Sequence, residues 1–267
     1  MTIRHSTEPI GAAWSAVALL WVVAFLNYID RQVIFSVFPL LKSEMALNDF
    51  QLGLLSAVFL WVYGFASPLG GYCGDRFGRK RTIVVSLLVW TAVTLATGFA
   101  RSFPELIAAR ALMGISEASY IPAALALISD HHQGPTRSLA TGLHQSGLYA
   151  GIVGGGELGG WIAQHYGWRT PFFVLGVAGI AYAGIVAFGL REAASRLPAR
   201  PADHAPFLAS LRAVLRLPGF SAILGAFSIF AIGNWIVYTW MPLYLYQKFG
   251  MSLTAAGFSA TFYIQAG

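Results

Sequence analysis

Seven stretches of this chain, at 12–38, 50–73, 82–100, 104–129, 139–164, 170–190 and 219–247, are apolar over about the length that crosses a ~30 Å hydrocarbon core. An eighth begins near residue 254 and is still apolar at Gly267. That repetition leaves few folds open. In lipid every backbone N–H and C=O must find its partner inside the protein, so only helices and closed barrels span. The ~10-residue alternation of a barrel strand is absent. Charged residues are 10% of the chain, against about 25% in a soluble domain. The first run resembles a signal peptide only superficially, because Asp30 and Arg31 stand where its cleavage site would have to lie. The chain is therefore read as an all-α polytopic membrane protein.

The basic residues supply an orientation. With the N-terminus inside, the inner loops hold eleven of the 17 Lys and Arg: Arg4, Arg76, Arg79, Lys80, Arg81, Arg137, Arg191, Arg196, Arg200, Arg212 and Arg216. The outer loops hold Lys42, Arg101, Arg169 and Lys248, while Arg31 and Arg110 lie within runs. The positive-inside bias favours a cytoplasmic N-terminus. The pI near 9.6 thus reports topology, and with no basic stripe alternating with aromatics it does not point to nucleic acid. Residues 191–218 form the longest polar interval, a cytoplasmic linker with a short surface helix expected at 206–216. It separates a unit at 1–190 from the segment 219–267.

Two runs carry charge at membrane depth, where it costs several kcal/mol and usually marks a partner or a wet cavity. The first, "FLNYIDRQVIF", holds Asn27, Asp30 and Arg31; the fourth holds Arg110 and Glu117. Arg110 and Glu117 are two turns apart on one face, with Gly114 between them leaving room for a ligand or a close helix. Asn27 and Arg31 also share a face. Each run brings one acid and one base, which reads either as a neutral network joining two helices or as a proton-coupled anion site. Arg keeps its charge and offers a planar fork to a carboxylate, and Asp and Glu can titrate. In the fifth run Gly147, Gly151, Gly155 and Gly159 form a packing ridge, and His144 and Gln145 are candidate substrate contacts. Glu157, near that run's outer end, reads first as reaching headgroup water. His131 and His132 lack a third ligand at useful spacing, so no metal is expected, and no cofactor motif is present. No H-E-x-x-H, G-x-S-x-G or nucleotide loop supports an enzyme.

Between the second and third runs stands "GGYCGDRFGRKRT". Its Gly71, Asp75, Arg76, Gly78, Arg79 and Lys80 resemble the G-x-x-x-D-R-x-G-R-[RK] signature of the major facilitator superfamily. The resemblance implies twelve helices in two six-helix halves about a midplane cavity, with the signature acting as a conformational latch. Against that plan this chain supplies a complete first half and a second half truncated in its second helix. "NYIDRQ" with R-x6-E in the fourth run, and Trp240, Pro242, Tyr244 and Leu245 in the seventh, resemble the anion:cation symporter branch. That likeness implies a secondary transporter for a small organic anion, coupled to protons through Asp30 and Glu117. Arg31, Arg110, Asn27, Tyr28, His144, Gln145, Asn234 and Tyr238 would meet substrate, with Tyr63, Trp235 and Trp240 among the cavity walls. The location implied is the bacterial inner membrane. "NY-x-DR" and Ser116-Glu117-Ala118-Ser119-Tyr120 are also similar to the spinster-like lipid transporters, and the residues alone leave both branches open.

Overall fold

The computed structural model describes residues 10–193 and 207–266. Within them the chain is helical throughout: α1 (Ile10–Ser36), α2 (Phe38–Glu44), α3 (Asp49–Phe77), α4 (Arg79–Thr97), α5 (Phe103–Glu117), α6 (Tyr120–His131), α7 (Arg137–Tyr166), α8 (Thr170–Gly189), α9 (Phe207–Leu215), α10 (Phe220–Phe249) and α11 (Leu253–Ala266). The short helix expected at 206–216 is α9. Part of the 191–218 linker, with Arg196 and Arg200, lies outside the described residues, as does Arg4.

Two apolar runs each form two helices, for a proline reason. Pro39 has no N–H to give the Phe35 carbonyl, so the first run stops at Ser36 and restarts as α2. Pro122 likewise leaves the Ala118 carbonyl without its intrahelical donor, and the fourth run breaks at Ala118–Ser119 into α5 and α6. By contrast, Pro68 and Pro242 lie within unbroken helices. Asn48 opens α3 with a reciprocal cap: its side chain accepts from Gln51 N at 2.9 Å, and the Gln51 side chain accepts from Asn48 N at 3.0 Å.

Among the described residues six spans are long and apolar enough to cross a membrane, with α5 and α6 counted as one. The fifth run, α7, has the length but not the apolarity: its 30 residues include eight glycines and polar or charged residues such as His144, Gln145 and Glu157. Seven of its glycines are buried or half-buried and the eighth, Gly142, is exposed, so it is a packed helix more than an oily one. Its Gly147, Gly151, Gly155 and Gly159 face Trp21, Phe25, Ile29 and Val33 of α1 in the same order, so α1 and α7 run parallel with i+4 rows engaged. The expected ridge thus meets α1. A second glycine line on α7 meets α11: Gly156 abuts Gly257, and Gly160 lies against Leu253 in antiparallel sense.

The buried side chains separate into two apolar clusters. One gathers the first part of α1 (to Ala24) with Leu87, Trp90, Tyr120 and Leu127; the other gathers the last part of α1 with α2, Leu52, Leu55 and Trp168. Asn27, Asp30 and Arg31 fall at the junction of the two. The segment α10–α11 joins this unit at one end only. Trp235 stacks on Phe59 at 5.9 Å, Trp240 packs on Phe38, and Thr239 and Leu243 are buried, whereas residues 220–232 make no buried contact among the described residues.

The parallel seam gives a stability test. A Cβ at Gly151 would lie 2.5 Å from the Phe25 carbonyl oxygen, a backbone atom that cannot yield. Gly151→Leu should therefore cost roughly 1–3 kcal/mol and lower the thermal midpoint in detergent. Gly142→Leu, where a Cβ meets nothing within 4 Å, should leave it unchanged. Equal midpoints for the two variants would refute the seam.

Candidate functional site

Neighbouring helical residues point about 100° apart, so Asp30 and Arg31 cannot serve one partner. The structure sends them to different helices. Arg31 reaches α5 and gives its Nε–H to Glu117 Oε2 at 2.6 Å, a charge-assisted contact with both side chains buried. Asp30 turns to α4, where Thr94 donates to its Oδ2 at 3.2 Å. Sequence reasoning did not find Thr94, since a lone threonine in an apolar run carries no signal of its own.

Aromatic rings hold the guanidiniums. Arg31 lies over Tyr63 at 4.4 Å, Tyr28 at 4.8 Å and Phe59 at 5.1 Å. Arg110 lies over the same Phe59 ring at 4.6 Å, so one phenyl group on α3 is shared by two cations. Arg110 has no carboxylate within ion-pair distance among the described residues. Its Nε–H goes to the Leu55 carbonyl at 3.3 Å and one amino group reaches Met113 Sδ at 3.3 Å. The four charges thus form one close pair, an Asp30 held by Thr94 and an Arg110 held by a carbonyl and a thioether, with no second ion pair closing the set among the described residues.

Several buried polar atoms have no hydrogen-bond partner. In this cluster they are Nη2 of both Arg31 and Arg110, Oε1 of Glu117, Oδ1 of Asp30 and both amide atoms of Asn27; His144 Nδ1 and Gln145 Oε1 are others elsewhere among the described residues. Asn27 stands beside the Glu117 carboxyl without closing a hydrogen bond. Buried polar atoms are normally satisfied. A cluster of donors and acceptors with spare capacity, from α1 and α5, has the chemistry to take an anion and a proton.

Local structure explains the placement. Gly114 sits under α3, where a Cβ would come 2.9 Å from the Phe59 carbonyl, so its smallness serves helix contact and not ligand space. That approach brings Arg110 to Phe59. Glu117 is the last residue of α5, and the break behind it is held by Ser86, whose hydroxyl donates to the Ser116 carbonyl, and by Gly70, which lets α3 approach Ala118 O.

The remaining predicted residues scatter. Tyr28 is half-buried in the Arg31 cage. His144 lies fully buried in the α1–α6–α7 seam, 3.0 Å from Tyr120 Oη, and Tyr120 gives its proton to Leu20 O at 2.9 Å. The hydroxyl has one proton, so His144 donates from Nε2 in that arrangement. Packing, not the charged cluster, surrounds it. Gln145 is half-buried on the same turn. Asn234 donates to Phe230 O of its own helix, while Tyr238 accepts from Gln265 of α11 and lies near Tyr149 of α7. Ser56 receives the Trp235 indole N–H at 2.7 Å and bonds Thr239 at 2.8 Å, tying α3 to α10. Phe59, Ser56, Thr239, Tyr149 and Gln265 lay outside the sequence reading because their partners are distant in the chain.

The signature segment is not a loop. Gly78 alone separates α3 from α4, at φ +97°, a conformation that excludes most side chains. Arg79 then faces back, donating to Ala126 O at 2.5 Å and pairing with Asp130 of α6, with Asp75 at 3.8 Å. Lys80 gives its backbone N–H to Glu192 at 2.8 Å. Arg76 points elsewhere, toward Tyr72 Oη at 3.3 Å, and Gly71 makes only ordinary contact with Pro122.

With that geometry in place, comparison with known proteins is informative. The model of the Major Facilitator Superfamily matches residues 20–266. The chain is 27% identical over 290 residues to the "Probable galactarate/D-glucarate transporter GudP" of Bacillus subtilis, covering 97% of this chain and 63% of that protein. It is 36% identical over 160 residues to "Protein spinster homolog 3" of Danio rerio, covering 59% of this chain and 32% of that protein. Among solved structures, an inward-facing bacterial homolog of the human lysosomal transporter Spinster superposes with a TM-score of 0.80 at 24% identity, over 98% of this chain and 60% of that one. The chain therefore spans about three-fifths of the length of the first and last of these.

The Arg31–Glu117 pair predicts an asymmetry between two substitutions. Glu117→Ala leaves a buried guanidinium uncompensated and should cost about 3–5 kcal/mol. Glu117→Gln keeps an acceptor for Arg31 Nε–H and should cost distinctly less. Thermal unfolding of both variants in one detergent measures the difference, and matching losses would show that the pair contributes no specific contact.

Proposed function

Since the chain belongs to the major facilitator superfamily, we propose that the protein of which it forms all or part is a secondary transporter of a small organic anion, a sugar acid or similar carboxylate, driven by protons. The observation that carries this reading is the buried Arg31–Glu117 pair beside an Arg110 with no carboxylate of its own, both cations on Phe59. The name of the Bacillus subtilis relative, a galactarate/D-glucarate transporter, agrees with it.

The mechanism follows from competition for charge. An anionic substrate approaching Arg110 and the free amino group of Arg31 offers a second carboxylate to guanidiniums that can hold it through two bonds. Glu117, displaced from Arg31, loses the charge that offsets its burial and binds a proton. Substrate and proton then favour each other's binding, and the linkage is reciprocal. Asp30, held only by Thr94 on one oxygen, is the second proton site. Asn27 and Tyr28 would meet the substrate beside these charges, and Tyr238, bonded to Gln265 and near Tyr149, would meet it from the opposite segment. His144, Gln145 and Asn234 hold outer positions in this scheme. The Arg79–Asp130–Asp75 cluster serves as the latch, with Gly78 as its pivot. The basic loops put the N-terminus in the cytoplasm, and the location is a bacterial inner membrane.

A spinster-like reading, with a lysolipid or sugar as cargo, is the alternative. The higher identity to the zebrafish spinster homolog over part of the chain favours it. Both guanidiniums lie over Phe59 and would suit a lysolipid phosphate as well as a carboxylate, so the choice of cargo is left to transport measurements.

Uptake into proteoliposomes by the whole protein separates these readings. Galactarate or D-glucarate should accumulate with an inward proton gradient and should not without one. Glu117→Gln, which mimics the protonated acid, should keep exchange but lose accumulation. Arg110→Lys should raise KM about tenfold or more, because an ammonium lacks the two-bond fork. Accumulation by Glu117→Gln against a gradient would remove Glu117 from the coupling scheme.

A further inference from the structure

A groove on the far side of α5 from the charged cluster is used by nothing above. It has a volume of about 590 Å³ and lies between α3, α4 and α5, three helices that belong to membrane-length spans. Leu69, Val85, Val89, Leu112 and Ile115 form its rim, each between 45% and 56% exposed. Small and hydroxyl residues floor it: Gly70, Ser86, Ser116 and Ser119. From Val89 to Arg81 it follows about two turns of α4, ~12 Å at ~1.5 Å per residue.

Arg81 closes one end. It is exposed, and it has no carboxylate within ion-pair distance among the described residues. It stands on the first turn of α4, beside Lys80 and within five residues of Arg76 and Arg79. The groove therefore has an apolar body between membrane-length helices and an exposed cation, Arg81, at the end of those helices. Its chemistry is that of one acyl chain with an anionic head, since basic pockets between spans at such an end select acidic lipids.

We propose that this groove binds a phospholipid of the surrounding bilayer with a net-negative headgroup, its chain lying between Leu69, Val85 and Ile115 and its phosphate on Arg81. A lipid so placed would bear on Ser116 and Ser119, which flank Glu117 and the α5–α6 break, and so would brace the site from behind. The occupant is a resident lipid, distinct from the transported anion. The proposal stands whichever cargo the charged cluster takes.

Photo-crosslinking tests it in the whole protein reconstituted into nanodiscs. The probe is phosphatidylglycerol carrying a mid-chain diazirine, with the matching phosphatidylcholine as comparison. Labelled peptides are mapped by mass spectrometry. Phosphatidylglycerol should label residues 66–77 and 112–119 about fivefold more than phosphatidylcholine does. Arg81→Gln should erase that preference, and Leu112→Trp, at an exposed rim position, should block labelling by both lipids. Cys73, the only cysteine and part of the groove lining, gives an independent reading: phosphatidylglycerol should slow its reaction with a small methanethiosulfonate, and phosphatidylcholine should not. Equal labelling by the two lipids, or a preference that survives Arg81→Gln, would reduce the groove to ordinary lipid-facing surface. No labelling of these peptides at all would mean that protein covers it.

Discussion

The contact on which the rest of this structure depends is Arg31 Nε–H to Glu117 Oε2, made where α1 passes from one apolar cluster to the other. A guanidinium at that depth is tolerable only with compensation from several directions. It has a carboxylate on α5 and three rings from α1 and α3, so the relative positions of three helices are fixed by one side chain. The compensation is incomplete by design of the geometry. Buried nitrogen and oxygen atoms on Arg31, Arg110, Glu117 and Asp30 have no hydrogen-bond partner. A fully satisfied network would lock the helices and leave nothing for a cargo.

Holding charges at depth requires helices that approach closely elsewhere. The glycine rows of α7 supply this on two sides, against α1 in parallel and against α11 in antiparallel. With no side chains between them, these backbones sit near van der Waals contact, and packing replaces the hydrophobic drive that lipid does not provide. Gly114 repeats the device between α5 and α3. Because α1 is seated on α7 by the register of Trp21, Phe25, Ile29 and Val33, Arg31 arrives at Glu117 without freedom to turn.

Helix breaks link these contacts to the signature segment. The break at Ala118–Ser119 directly follows Glu117, and α6 beyond it ends at Asp130, the partner of Arg79. Helix α6 thus spans from the break beside Glu117 to the Arg79–Asp130 pair. Ser116 connects the same point to α4 through Ser86. The charged cluster and the signature segment, which stand at separate depths, share α6 as a rigid connection.

The sequence by itself determined the membrane-spanning helical character, the signature motif and the identity of the four buried charges. Each of these rests on local information: bilayer length, one-letter spacing, and the high cost of charge in an apolar run. It also specified the glycine ridge, because a period of four on a helix is one face. What it could not specify was direction. Asp30 and Arg31 are neighbours in sequence yet serve α4 and α5, and His144, polar in an apolar run like the others, meets Tyr120 of α6. Arg79 found Asp130 and Lys80 found Glu192 across gaps that no local pattern spans. Only the tertiary structure decided those pairings, since a buried polar atom takes whichever partner the neighbouring helix presents at hydrogen-bond distance.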